Sequence, residues 1–99
     1  MIDRDLAVAL SALGQPIRLK LYRLLVAAGS DGVGPVVLSG AAGIQRNLVS
    51  YHLQPLVAAG LVRSERRGRD VNYRVEGAGL NRLAAAVLDL SEPPKDAVG

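Results

Sequence analysis

The sequence predicts a mainly α-helical domain carrying one small β-hairpin, in the order α-α-α-α-β-β-α. Three observations lead there. Apolar residues recur at three- and four-residue spacing in several segments, the signature of amphipathic helices. Glycines at 14, 29, 32, 34, 43, 60, 68, 77 and 79 punctuate those segments. One stretch, Val71 to Val75, instead alternates with a period of two, as a half-buried strand does. With 99 residues, 49% hydrophobic and 21% charged, the composition is that of one globular domain or one subunit of a pair.

Between residues 3 and 13, Leu6, Leu10 and Leu13 share one helical face, and Gly14 ends it. Pro16 suits the first turn of the next helix, where its missing N–H costs nothing. Ile17, Leu21, Leu24 and Leu25 form that helix's apolar stripe, with Arg18 and Arg23 elsewhere on its surface and Tyr22 at the boundary. Gly29 to Gly32 read as a loop. A short helix from Pro35 to Ala42 follows, weakened at Gly40 by about 1 kcal/mol relative to alanine and ended by Gly43.

Residues 45–59 make the strongest helical pattern. Leu48, Val49, His52, Leu53 and Leu56 lie on one side, and Asn47, Ser50, Tyr51 and Gln54 on the other. That second stripe is polar but uncharged, rich in groups that both donate and accept hydrogen bonds. Pro55 predicts a kink or an early end, since an interior proline removes the bond to the Tyr51 carbonyl. His52, a lone histidine facing inward, reads as a packed and hydrogen-bonded core residue. Leu61 and Val62 open an extended run, Arg67-Gly68-Arg69-Asp70 is the turn, and Tyr73 packs against the helix beneath the second strand. Leu80, Leu83, Ala84, Val87 and Leu88 form a last amphipathic helix, and residues 91–99 are expected to be a disordered tail.

The net charge of +3 is concentrated. Residues 63–74 hold Arg63, Arg66, Arg67, Arg69 and Arg74 against only Glu65 and Asp70, an excess as large as that of the whole chain. A local excess of this kind suits a surface facing a polyanion. The absence of cysteine excludes disulfides, thiolate metal sites and thiol nucleophiles, and one histidine excludes a multi-histidine metal site within a chain. Paired carboxylates at catalytic spacing are missing too, so the sequence predicts no enzyme and no cofactor. Asp89 and Glu92 make a poor hard-cation site. No apolar run approaches the roughly 18 residues of a membrane helix, and the start MIDRDLAVAL lacks the features of a secretory signal. The expectation is a cytoplasmic protein without a membrane partner.

A short helix, a turn, a polar-faced helix and a basic hairpin are the parts of a winged helix-turn-helix. A helix entering the major groove must bury one face and offer hydrogen-bonding side chains on the other. A hairpin beside it must carry cations to phosphates or into the minor groove. Here those parts are segments 45–54 and 63–74, so double-stranded DNA is the expected partner.

The residues also resemble a known family. ALGQPIRLKLYRLL (12–25), NLVSYHLQPLVAAGLV (47–62) and RRGRDVNYRV (66–75) are similar to the leucine-x-x-proline-x-arginine opening, the recognition helix with its exit, and the wing of ArsR/SmtB-type bacterial repressors. The resemblance spans about residues 6–90, and residues 1–90 are expected to form one DNA-binding and dimerisation domain. It implies a homodimer that binds an inverted-repeat operator and releases it when an effector binds. It implies base contacts from Arg46, Asn47, Ser50 and Tyr51, with Gln54 nearer the backbone, and wing contacts from Arg63, Arg66, Arg67 and Arg69. Its dimer seam, first helix against last, would use Leu6, Leu10, Leu83, Val87 and Leu88. Many members sense metal through cysteines at the start of the third helix, but Gly34-Pro35-Val36-Val37-Leu38 holds no ligand there. Others use Asp and His on the last helix, which here has no histidine. Whether the effector is a small molecule, a metal ion or a partner protein stays open. The competing reading is a winged-helix interaction module whose basic hairpin docks RNA or an acidic protein.

Overall fold

The computed structural model describes residues 1–93. Helices α1 (Asp3–Leu13), α2 (Pro16–Ala28), α3 (Pro35–Ala42) and α4 (Arg46–Ala58) precede strands β1 (Val62–Arg67) and β2 (Asp70–Val75), and α5 (Gly77–Asp89) closes the order. One 3₁₀ turn, Gly29–Asp31, separates α2 from α3. This is the winged helix-turn-helix arrangement the spacing predicts. None of the described helices is long and apolar enough to cross a membrane.

Local chemistry sets the boundaries. Pro16 and Pro35 open α2 and α3, and the Gln15 side chain caps α2 by accepting from the Arg18 N–H at 2.8 Å. Gly43 ends α3 in the left-handed conformation at φ 70°. The Ser39 carbonyl then accepts from both Gly43 and Ile44, and the Ser39 hydroxyl donates to the Ile44 carbonyl at 2.6 Å. These bonds fix the angle at which α4 leaves α3.

Leu21, Leu25, Leu38, Val49, Leu53, Leu56 and Leu61 are the fully buried centre of the core, drawn from α2, α3, α4 and the start of the wing. Leu6, Ala9 and Ala12 of α1 and Leu83 of α5 extend it. The hairpin is antiparallel, pairing Val62 with Val75, Ser64 with Tyr73 and Arg66 with Val71. Gly68 sits at the turn with φ 66°, while Arg69 keeps an ordinary negative φ; a positive φ at the first loop position alone marks a type II′ turn. Val33 bridges Tyr73 from the other edge of β2, each N–H donating to the other's carbonyl at 2.9 Å. The wing is thereby tied to the segment leading into α3.

Several expectations change. Helix α4 runs through Pro55 to Ala58 rather than ending early. Only the last turn follows the proline, so one lost bond is tolerable there, and Ala59 N–H still donates to the Pro55 carbonyl. Leu48, expected on the apolar face, is exposed, leaving Val49, Leu53 and Leu56 to bury that face. Tyr22 is fully in the core at 5% exposure rather than at its boundary. Ser91 and Glu92, placed in the tail, still form turns off the end of α5 by donating to Leu88 and Asp89. The rest of the predicted tail, residues 94–99, lies outside the described residues.

Candidate nucleic-acid interface

The N-terminal half of α4 and the wing enclose an open cleft of about 780 Å³. Arg46, Asn47 and Ser50 line it from α4, Arg67, Arg69, Asp70, Val71 and Asn72 from the hairpin, and Gly34 to Val37 from the start of α3. Two helix N-termini open on this space, and neither carries a side-chain cap or an acidic residue in its first turn. Uncapped N–H groups and the positive end of the helix dipole favour an anion. Three arginines add formal charge to the same cleft, against one acid, Asp70.

The stripe read from the sequence therefore divides. Asn47 and Ser50 face the wing across the cleft. Tyr51, 70% exposed, and Gln54 lie on the opposite flank of α4, in a separate shallow groove with Arg18, Pro55 and Ala58. A nucleic acid laid along α4 would be touched from both flanks. Arg18 of α2 adds a cation to the second flank; periodicity along α2 alone does not reveal this, because its closeness to Gln54 depends on how α2 packs against α4.

The wing arginines differ from one another. Arg63 pairs with Glu76 at 2.8 Å and does not line the cleft. Arg74 pairs with Glu65, and the same carboxylate lies 3.8 Å from Arg67. Arg66 and Arg69 are exposed and make no ion pair among the described residues, as does Arg46 on α4. Glu65 and Glu76 thus hold back part of the positive charge that a count of the hairpin suggests.

Tyr73 of β2 is buried at 6% exposure and faces the helix beneath its strand as expected, its hydroxyl 3.1 Å from the Ser50 Oγ of α4. His52 is only half buried. Its ring meets Tyr51 edge-on, centroids 5.2 Å apart at 75°. The buried Nδ1 has no partner among the described residues, so the expected hydrogen bond is not made. Val49, Leu53 and Leu56, the buried residues of the same helix, are apolar and offer it no side-chain partner.

Leu6 and Leu83, expected in a seam between protomers, are already buried within the chain, because α1 packs against α5 and both join the core. Leu10, Val87 and Leu88 remain exposed on the same two helices, Leu88 at 73%, together with Val8 on α1 and Leu90 just past the end of α5. Among the described residues, no group of three or more His, Asp or Glu side chains is placed to hold a metal ion.

The family model described as a helix-turn-helix domain matches residues 13–65. An ArsR-like transcriptional regulator from Rhodococcus sp. RHA1 is 30% identical, over 89% of this chain and 80% of that one, with a TM-score of 0.76. The homodimeric winged helix-turn-helix DNA-binding domain (fragment 1–100) of a possible ArsR-family regulator from Mycobacterium bovis is also 30% identical. It covers 93% of this chain and 88% of its own, with a TM-score of 0.69. The antimony-specific transcriptional repressor AntR is 28% identical over 87% of this chain and 77% of its own, with a TM-score of 0.65. No curated protein matches the chain.

Proposed function

Since the chain belongs to the ArsR family of helix-turn-helix transcriptional regulators, which are not enzymes, we propose that it is a cytoplasmic repressor occupying an inverted-repeat operator as a homodimer. The observation that carries this reading is the shared cleft: the hydrogen-bonding start of α4 and the arginine-bearing turn of the wing face one space. A duplex filling it meets base-reading side chains and phosphate-binding cations together. Arg46, Asn47 and Ser50 read bases on the cleft side, and Tyr51 and Gln54 contact the duplex on the other flank. Arg66, Arg67 and Arg69 bind phosphate at the wing, with Arg63 a weaker contributor because Glu76 already holds it.

Residues 1–90 act as one domain that both binds DNA and dimerises. Its two copies meet through the exposed Leu10, Val87 and Leu88, backed by the buried Leu6 and Leu83. The M. bovis relative is a homodimer, and an apolar face on α1 and α5 is what a two-fold interface requires. Two recognition helices then sit about 34 Å apart, one helical turn of DNA. Repression follows from occupying promoter DNA, and an effector of unidentified chemistry ends it by releasing the operator.

Selection of bound sequences from a randomised duplex library tests this reading. The expected result is a palindromic consensus with half-sites about one turn apart. Recovery of no consensus, with retention of RNA or an acidic protein instead, would establish the hairpin as a docking module of another kind.

A further inference from the structure

We infer that Tyr73 is a positioning residue for DNA recognition, donating its phenolic proton to Ser50 so that the Ser50 hydroxyl is aimed outward as a donor to the duplex. The inference rests on the DNA-binding reading above and adds a residue and a direction to it.

The two oxygens lie 3.1 Å apart, and that distance alone does not say which one donates. Burial does. Between them the hydroxyls hold two protons, and only one can lie in the bond they share. Tyr73 is 6% exposed, and Ser50 is the one partner the described residues give its hydroxyl. If Ser50 donated, the phenolic proton of this buried residue would have no acceptor among the described residues, which buried polar groups avoid. With Tyr73 donating, the leftover proton belongs to Ser50, an exposed residue lining the cleft. There it meets an acceptor oxygen or nitrogen of DNA, on a phosphodiester or a base edge. A hydroxyl that accepts from a phenol is polarised into a better donor.

Tyr73 is well placed for this role. Its backbone exchanges two bonds with Val33 at 2.9 Å, and its register partner in β1 is Ser64. The phenol is thus held from both edges of its strand before its tip reaches α4. A wing displaced from α4 would break the link, so the donor is presented only when both halves of the interface are in register.

Fluorescence-anisotropy titrations of a selected operator and of random duplex with Tyr73→Phe, Ser50→Ala, the double variant and Ser50→Thr test the inference. Tyr73→Phe keeps the ring in the core and is expected to weaken operator binding about fivefold per half-site. The double variant should lose no more than Ser50→Ala alone, and Ser50→Thr should restore binding. Loss on operator only identifies a base acceptor, and equal loss on both duplexes identifies a phosphodiester; either supports the relay. The ¹³Cζ resonance of Tyr73 in the free protein should move in Ser50→Ala and return in Ser50→Thr. Tyr73→Phe binding like the unaltered protein, or losses that multiply in the double variant, overturns the relay while leaving DNA recognition standing. If Tyr73→Phe does not fold, a Ser50→Thr variant no better than Ser50→Ala overturns it instead. Failure of the unaltered protein to bind any duplex overturns both readings.

Discussion

Replacing Arg69 with alanine should change the salt dependence of DNA binding, whereas replacing Arg63 should hardly do so. Each phosphate neutralised by a cation releases condensed counterions and contributes about 0.9 to the slope of log K against log salt. Arg69 lines the cleft and has no ion pair among the described residues, so its phosphate contact is made in full. Arg63 already faces Glu76 at 2.8 Å. For it to reach a phosphate, that pair must break and leave a carboxylate near DNA, which cancels most of the release. Two protomers double the effect, so Arg69→Ala should flatten the slope by about 1.8 units. Over a fourfold rise in salt, from 50 to 200 mM, that amounts to about a 12-fold difference in how far affinity falls. Glu65→Gln should act in the opposite sense, steepening the slope, because it frees Arg74 and Arg67 from their shared carboxylate. Anisotropy titrations with a fluorescent duplex across a series of salt concentrations measure all three slopes. Equal changes in Arg63→Ala and Arg69→Ala would refute the idea that intramolecular pairing selects which arginines bind.

Gly79→Ala should be strongly destabilising, because its Cβ would fall well inside contact distance of the Gly60 carbonyl, and both groups are backbone. A loss of about 2 kcal/mol would lower the melting temperature by about 10 °C; a melt within a few degrees of the parent would show that the turn yields freely. Tyr22→Phe should be neutral or stabilising by up to about 1 kcal/mol, since the buried hydroxyl has no partner. Burial raises the Tyr22 pKa above its ordinary 10.0. The folded state therefore disfavours the phenolate, and stability present below that pH is lost as pH climbs beyond it. Urea melts between pH 8 and 11 should show a smaller alkaline loss in Tyr22→Phe, and identical profiles would count against the burial argument. Leu88→Asp should convert a dimer to a folded monomer in sedimentation experiments, because Leu88 is 73% exposed on α5 and contributes little to its own core; an unchanged mass would move the seam elsewhere.

Local rules made most of the architecture legible in the sequence. Pro16, Pro35 and Gly43 act within a turn or two of themselves, so the ends of α2 and α3 fall where their residue types put them. The alternation around Tyr73 fixed the strand register because a slip of one residue would turn the phenol out to solvent. What the sequence could not show was the result of elements meeting. Leu6 and Leu83 have the spacing of an exposed seam, yet α1 and α5 of one chain already bury them. Leu48 has the spacing of a core residue, yet it stays exposed at 38%. Tyr51 and Gln54 share a helical face with Asn47 and Ser50, but the wing covers only one edge of that face.

The same distinction bears on charge. Counted along the chain, the five arginines of residues 63–74 look equivalent. In the hairpin, antiparallel pairing sets Arg63 opposite Arg74 and Glu65 opposite Asn72, so Glu65 lies diagonally within reach of Arg74 on the same sheet face. Glu76, just past the end of β2, takes Arg63. The paired charges sit toward the base of the wing, where the strands must stay together against like-charge repulsion. Arg69 and the loosely held Arg67 flank the turn, at the end that projects beside α4. Moving an acid from the base to the tip, as in an exchange of Glu65 and Arg67, would keep the net charge and composition unchanged. It would nonetheless remove a cation from the cleft and put a carboxylate in its place. DNA affinity should then collapse at constant charge, because where each arginine's partner lies decides whether that arginine is available.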